Sequence, residues 1–184
     1  MQRDLVERAM TGDHDAFAEL ARVSIGRLFV VARLILRDEA AAEDATQEAL
    51  VAAWRHIHGL RDADRFEAWL HRLLVNACHR EARRGGGRRA IEIHVPTFEA
   101  PQPDTTLGLL DRDELERVFA RLDTDQRAVI VLHYYLGYSL DDAAEVLGVP
   151  RGTVRSRLHR ATQTMRAALD SDARQPLARG GRPA

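Results

Sequence analysis

Apolar residues recur at helical spacing through most of this chain. Residues 3–84 carry the pattern throughout, and caps or glycine-containing breaks divide it into four predicted helices. These helices are predicted over residues 4–10, from a cap at Asp13 to about residue 35, over 38–58 and over 65–84, with a loop at 59–64. Several helices joined by short connections predict a compact helical bundle.

The helical pattern resumes near residue 107, after a stretch without clear periodicity. One helix is predicted over residues 107–122. Asp123 with Gln126 forms a capping signal, and an apolar helix is predicted after it over residues 129–136.

Residues 139–169 predict two further helices joined by a tight turn. Ser139 can cap the first of them, Gly148 suits a backbone turn with positive φ, and Pro150 suits the start of the second. The second helix carries one apolar stripe, formed by Val154, Leu158, Ala161 and Met165. This arrangement is typical of a helix-turn-helix, whose second helix enters the major groove of DNA.

The face opposite that apolar stripe is basic and polar. It gathers Gly152, Arg155, Ser156, His159 and Arg160, and residues 151–169 contain five arginines and no acid. Arg157 falls near the edge of the apolar stripe, so it is expected to brace the fold or touch phosphate. The alternative is a solvated basic face on an ordinary helix pair, but caps, turn, core stripe and basic face agree on the helix-turn-helix.

Glycine and proline mark the predicted domain boundaries. Three glycines at 85–87 end the first bundle, and three prolines in residues 88–106 predict an extended, flexible linker. The fold class is therefore all-α, with two small helical domains joined by that linker. The predicted divisions are a first domain at 1–87, the linker at 88–106, a second domain at 107–170 and a disordered tail at 171–184.

Charge is sorted along the chain although the net charge is only −1. Residues 38–48 contain five acids and no base, whereas residues 72–89 contain six arginines and one acid. Such separation predicts two partners of opposite sign. The single cysteine, Cys78, excludes an internal disulfide, and neither a membrane-spanning run nor a signal peptide is recognised, which predicts a cytoplasmic protein without membrane insertion.

The fourth and third predicted helices carry two contrasting faces. The fourth has a stripe of arginine, aromatic and amide groups, suited to phosphates and exposed bases, formed by Arg65, Trp69, Arg72, Asn76, His79 and Arg83. The third has an acidic face suited to a basic protein partner, formed by Asp44, Gln47, Glu48, Val51 and Arg55. For the fourth helix the alternative is a core tryptophan with solvated arginines, and for the third it is a solvated helix face.

Three segments of the chain resemble bacterial sigma factors. Residues 42–54, AEDATQEALVAAW, resemble the motif with which these factors bind core RNA polymerase. Residues 66–84, FEAWLHRLLVNACHREARR, resemble their promoter-melting helix, and residues 122–161 resemble their region 4. Because only two of the family's domains and a short linker are present, the resemblance is to the extracytoplasmic-function group.

The resemblance implies core RNA polymerase and promoter DNA as partners. The positions that contact the clamp helices of the largest polymerase subunit are Asp44, Gln47 and Glu48. Trp69, Asn76 and Arg80 fall on the helix that, with the loop at 59–64, captures a flipped base of the minus-ten element. With the stripe described above, the expected minus-ten set is Arg65, Trp69, Arg72, Asn76, Arg80 and Arg83.

In the second domain the resemblance implies contacts to the minus-thirty-five element. Arg155, Ser156, His159 and Arg160 match readers of that element, and Arg151 and Thr153 match positions that contact the DNA backbone. The full expected set is Arg151, Gly152, Thr153, Arg155, Ser156, His159 and Arg160. The resemblance also implies that an anti-sigma factor can restrain the protein. Asp141 and Asp142 are expected to weaken phosphate contacts near this helix.

Other classes of function account for less of this sequence than a sigma factor does. No glycine-rich phosphate loop or nucleophile set supports an enzyme, so no catalytic residue or cofactor is predicted. His56 and His58 face different ways on a helix, and Cys78 and His79 are adjacent, so no metal site is predicted either. A stand-alone helix-turn-helix regulator with an N-terminal sensing or dimerisation domain is the remaining alternative. It explains the second domain, but neither the acidic face nor the arginine–tryptophan–asparagine stripe of the first.

Overall fold

A computed structural model describes residues 2–85 and 112–173 of the chain, and the part it describes is built from helices. The helices are α1 Gln2–Met10, α2 His14–Leu36, α3 Glu39–His56, α4 Phe66–Arg84, α5 Arg112–Ala120, α6 Thr124–Ile130, α7 Leu140–Leu147 and α8 Arg151–Ala173. The first four form one helical unit and the last four a second. The predicted linker at 88–106 lies outside the described residues.

Aspartate caps fix where the helices of the first unit begin. The Asp13 carboxylate accepts a hydrogen bond from the Ala16 amide at 3.0 Å, and the Asp38 carboxylate accepts one from the Ala41 amide at 2.9 Å. Between α2 and α3 the chain reverses at Arg37, a non-glycine residue with a φ of 58°. Both predicted aspartate caps are confirmed.

The core of the first unit depends on the small side chains of α3. This helix packs against both α2 and α4, and the residues it buries are Ala42, Ala45, Thr46, Ala49 and Ala53. Around them α2 and α4 contribute larger buried side chains, among them Leu28, Ile35, Leu70 and Leu74. Alanine faces allow the helix axes to lie close together, so the larger side chains of α2 and α4 can pack densely around α3.

The second unit follows the predicted helix-turn-helix closely. Asp123 and Gln126 form a reciprocal capping box at the start of α6. The Ser139 hydroxyl accepts a hydrogen bond from the Asp142 amide at the start of α7, and Gly148 ends that helix with a φ of 65°. Pro150 then precedes α8, as predicted.

Four elements differ from the sequence-based expectation. The helix predicted over 129–136 starts earlier, at Thr124, and passes into a π-helical turn over Val131–Tyr135, where the Leu136 amide bonds to the Val131 carbonyl five residues back. The predicted loop at 59–64 contains parts of two short 3-10 turns, Ile57–Gly59 and Ala63–Arg65.

The helix predicted over 107–122 is described only from Arg112, since residues 107–111 lie outside the described residues. Finally, α8 extends to Ala173, so the predicted tail is helical at its first residues, and the rest of it lies outside the described residues.

The two units are joined by a shared apolar core. One continuous cluster of buried side chains includes Leu70 and Leu74 of α4 together with Ala144 and Leu147 of α7. A smaller cluster, centred on Leu122, Ile130 and Ala161, lies within the second unit. In the parts of the chain that the structure describes, none of the helices is long and apolar enough to cross a bilayer.

Truncating Leu74 tests this packing, because its side chain is 0% exposed in the centre of the first unit. Leu74→Ala is expected to lower the free energy of unfolding by about 2–5 kcal/mol, through lost burial and the cavity left behind. The matched control is Val51→Ala, whose side chain is 47% exposed and should change stability by less than about 0.5 kcal/mol. Urea denaturation followed by circular dichroism measures both, and equal losses would contradict the assigned core.

Candidate polymerase and promoter-binding surfaces

The acidic face of α3 points away from the bundle. Asp44 and Gln47 are exposed, while Glu48 is half-buried. Their outward direction follows from the alanines on the opposite side of the same helix, which are buried against α2 and α4. The face therefore offers a carboxylate and an amide to a partner without disturbing the core.

Glu48 is tied to α4 as well as belonging to this face. One of its carboxylate oxygens accepts a hydrogen bond from the Arg80 guanidinium at 2.9 Å, and the other lies 3.8 Å from Arg84. Arg84 also contacts Glu81 one turn earlier on α4. The sequence prediction placed Glu48 and Arg80 on two separate surfaces, whereas the structure brings them together. Glu48 is thus a link that sets the position of Arg80.

The predicted minus-ten stripe runs along the surface of α4. Arg65, Arg72, Asn76 and Arg83 are exposed, and Arg80 is half-buried by its pairing with Glu48. Two roles were predicted for Trp69, core packing and contact with an exposed base. Its side chain is half-buried and packs against the core, so part of the ring is buried and part is open to solvent. Its ring centre is 6.1 Å from that of Phe66, which is itself buried. The indole is thereby held in a fixed position at the edge of the stripe.

The segment between α3 and α4 is pinned by α1, which sequence reasoning did not foresee. The His58 ring nitrogen Nδ1 lies 2.8 Å from the Met10 carbonyl, and Arg3 contacts the Asp64 carboxylate at 3.0 Å. Asp62 accepts a hydrogen bond from the Asp64 amide at 3.0 Å, which shapes the second 3-10 turn. The segment next to Trp69 therefore has a defined shape.

The basic face of α8 is open to solvent. Arg151, Gly152, Arg155, Ser156, His159 and Arg160 are exposed, and Thr153 is half-buried. The Ser156 hydroxyl donates to the Thr153 carbonyl at 3.0 Å, and Arg160 reaches back to the Ser156 carbonyl at 3.3 Å. Asp141 of α7 lies 3.1 Å from Arg151, so one of the two flanking acids already pairs with an expected backbone-contacting residue.

Arg157 braces the fold, which is one of the two roles predicted for it. Its guanidinium lies 2.6 Å from the Asp125 carboxylate of α6, and its side chain is only 22% exposed. The same carboxylate lies 3.0 Å from Nε2 of His79 on α4. Burial lowers the pKa of His79, the Asp125 charge raises it, and Arg157 and Arg83 lower it again. Burial is the largest of these effects, so the pKa of His79 lies below its ordinary value.

Two further buried groups on α4 have shifted pKa values. Burial raises the pKa of the Cys78 thiol to about 12, so this cysteine is not poised as a nucleophile. Burial also lowers the pKa of His71, against the opposing charge of Glu67. Among residues 2–85 and 112–173, no group of three or more metal-binding side chains converges on a common point.

The fold and these surfaces define a transcription factor with two helical units, one of which carries a helix-turn-helix. The sequence matches the description "Sigma-70 region 2" over residues 20–88 and "Sigma-70, region 4" over residues 112–165. It is 35% identical over 158 residues to the ECF RNA polymerase sigma factor SigM of Mycobacterium tuberculosis, covering 86% of this chain and 79% of SigM. The chain belongs to the extracytoplasmic-function (ECF) RNA polymerase sigma factors.

Solved structures agree with this assignment. The chain resembles CnrH, solved in complex with the cytosolic domain of CnrY, with a TM-score of 0.67 and 32% identity over 93% of this chain and 98% of CnrH. It also resembles the sigma factor RpoE of Bartonella quintana, solved with the anti-sigma factor NepR, with a TM-score of 0.61 and 25% identity over 85% of this chain and 98% of RpoE. The protein is thus a transcription initiation factor, which binds core RNA polymerase and directs it to promoters.

Proposed function

We propose that three helices divide the work of initiation. The exposed acidic face of α3 docks on core polymerase through Asp44 and Gln47, with Glu48 contributing from its half-buried position. The stripe on α4 holds the melted minus-ten element, and α8 reads the minus-thirty-five element as duplex. The observation that carries this proposal is the segregation of charge: an acidic face lies on one helix and exposed arginines lie on two others.

The α4 surface has the chemistry that melted DNA requires. Extruding a base costs a few kcal/mol, and stacking on an aromatic side chain returns roughly 1–3 kcal/mol. Trp69 supplies a fixed aromatic surface, Asn76 an exposed amide for a base edge, and the neighbouring arginines supply charge for phosphates. An aromatic side chain that is already held in place loses little entropy on binding, which favours stacking of a flipped base on it.

The α8 surface has the chemistry that duplex reading requires. Its exposed Arg155, Ser156, His159 and Arg160 can reach base edges in the major groove, while Arg151, Gly152 and Thr153 lie at the helix start, where phosphates approach. Each bidentate base contact discriminates by about 1–3 kcal/mol. Two weak DNA contacts held on one polymerase act as a single strong one.

The remaining parts of the proposal follow from the family. We assign residues 1–87 to the polymerase-binding and minus-ten domain, 107–170 to the minus-thirty-five domain, and 88–106 to the connection between them. The protein is proposed to act in the cytoplasm, where core polymerase is found, and to carry out no catalysis itself. Because RpoE was solved with an anti-sigma factor, an anti-sigma factor is proposed as a further partner.

Charge reversal on α3 tests the polymerase-binding face. Asp44→Arg is expected to weaken capture of purified core polymerase in a pull-down by about tenfold, because like charges replace an attraction at the interface. Gln47→Ala should weaken it less. Both residues are exposed, so the thermal unfolding transition should stay unchanged. Asp44 is a cleaner test than Glu48, since reversing Glu48 would also release Arg80.

The control for this experiment is Asp170→Arg, an equal charge change at an exposed position of α8. It should leave core binding intact. Undiminished binding by Asp44→Arg, or an equal loss in the control, would remove α3 as the docking face.

Loss of the α4 indole tests the melting role. Trp69→Ala should reduce permanganate-detected promoter opening by about fivefold or more, because a stacking contact worth roughly 1–3 kcal/mol is lost. Closed-complex formation should change little. The matched control is Tyr134→Ala, which removes an exposed aromatic ring of the second unit, away from the α3 and α4 surfaces. Equal effects of the two changes on opening would count against a specific role for Trp69.

Two arginines two residues apart in α8, on different sides of the helix, separate DNA reading from support of the fold. Arg155→Ala should relax preference at one base position of the upstream element by about 1–3 kcal/mol and leave stability unchanged. Arg157→Ala should instead lower stability by about 1 kcal/mol, since it removes the partly buried pair with Asp125. Run-off transcription on a genomic fragment library, with urea denaturation in parallel, measures both. If Arg155→Ala lowered stability and Arg157→Ala relaxed promoter preference, the roles assigned to the two arginines would be wrong.

A further inference from the structure

Two arginines away from the polymerase and promoter surfaces lie near each other where α2, α5 and α6 meet. Arg37 caps the C-terminal end of α2, and Arg127 lies in the middle of α6. The two helices pack against each other, and both arginine side chains are half-buried. Neither residue belongs to a surface assigned above, so the proposed function does not account for this pair of positive charges.

The Arg37 side chain reaches α5. One terminal nitrogen of its guanidinium, Nη1, donates a hydrogen bond to the main-chain carbonyl of Glu116 at 2.8 Å. A carbonyl oxygen carries only a partial negative charge, so this bond orients the guanidinium without neutralising it. The direction of the Arg37 side chain is therefore fixed by α5, while its full charge remains to be balanced.

The Arg127 guanidinium lacks one of its acceptors. Its Nε is buried and has no hydrogen-bond partner among the residues that the structure describes. One of its terminal nitrogens lies 3.4 Å from the Thr124 hydroxyl, which is a long contact to a neutral group. A buried donor without an acceptor costs free energy, and such an atom in a native fold is one mark of a bound water or ion.

Carboxylates do not balance these two charges at close range. Within residues 2–85 and 112–173, neither guanidinium forms an ion pair with a carboxylate. Burial lowers the pKa of both side chains, and the charge of Arg37 lowers that of Arg127 further, to about 10. Glu116 and Asp123 act in the opposite direction as smaller effects. Two like charges therefore repel each other at a place partly shielded from water.

We propose that an oxyanion of the phosphate class binds between Arg37 and Arg127. The N–H groups of a guanidinium match the oxygens of a phosphate in spacing and direction. A doubly charged anion neutralises both side chains at once and gives Nε of Arg127 the acceptor that it lacks. Because both side chains are half-buried among three helices, the site suits a small free anion better than the backbone of duplex DNA.

The test uses the full chain without polymerase, and inorganic phosphate is the probe. Thermal unfolding is followed in about 10 mM phosphate and in sodium chloride of the same ionic strength, so that screening is held constant. A ligand that binds only the folded chain raises its melting temperature. At about ten times the dissociation constant, we expect a rise of about 3 °C or more for a chain of this size.

Two variants remove the site from different helices. Arg127→Gln takes away one charge but keeps a polar side chain, and Arg37→Gly takes away the other at a position whose φ of 58° suits glycine. Both should lose the phosphate-dependent rise. In chloride both should unfold at the temperature of the natural chain or higher, because the repulsion between the two arginines is relieved.

The control is Arg166→Gln, which removes an exposed arginine of α8. It should keep the full rise in melting temperature. Phosphate also stabilises folded proteins in general because it is excluded from their surfaces, and the control shows how much of the rise has that origin.

A second measurement distinguishes a free anion from a phosphate of the DNA backbone. Affinity for a labelled DNA duplex is measured over a range of salt concentrations, where each phosphate contact contributes about 0.9 to the slope of log affinity against log salt. An unchanged slope in Arg127→Gln identifies a free anion as the ligand. A slope smaller by about one identifies the DNA backbone as the source of the phosphate group.

An equal melting temperature of the natural chain in phosphate and chloride overturns the proposal. A rise that Arg127→Gln and Arg37→Gly share with the natural chain also overturns it, since that rise is the general effect of phosphate. A large fall in melting temperature of both variants in chloride overturns it as well, because the two arginines would then support the fold without an anion.

Discussion

Close packing of α3 against its two neighbours is the constraint on which the rest of the first unit depends. Its inner face is almost entirely alanine, with Ala42, Ala45, Ala49 and Ala53 at 0% exposure. Short side chains bring α3 near enough to α4 for Glu48 to reach Arg80. The polymerase-facing and DNA-facing helices are therefore held in a fixed mutual position, and a larger residue on the inner face would displace both surfaces at once.

Acidic and basic side chains lie on separate surfaces although the net charge of the chain is only −1. Acids of α3 face outward, where a protein partner can meet them, while acids of α6 and α7 lie opposite arginine or histidine of α4 and α8. The net charge therefore gives little indication of DNA binding, whereas the location of the charged side chains indicates it clearly. Asp125 shows this well, because one carboxylate faces His79 of the first unit and Arg157 of the second.

The sequence predicted local features better than distant ones, for a physical reason. The Asp13, Asp38 and Ser139 caps involve residues within three positions of their partners, so spacing alone reveals them. The position of Arg157 at the edge of an apolar stripe predicted that it would brace the fold or touch phosphate, and its pair with Asp125 shows that it braces the fold. The His71–Tyr138 and Arg65–Glu145 contacts join residues 67 and 80 positions apart, and no periodicity reports which surfaces of two helical units will meet. The π-helical turn was likewise not predicted, because it covers only Val131–Tyr135, which is too short to change the apolar pattern of the segment.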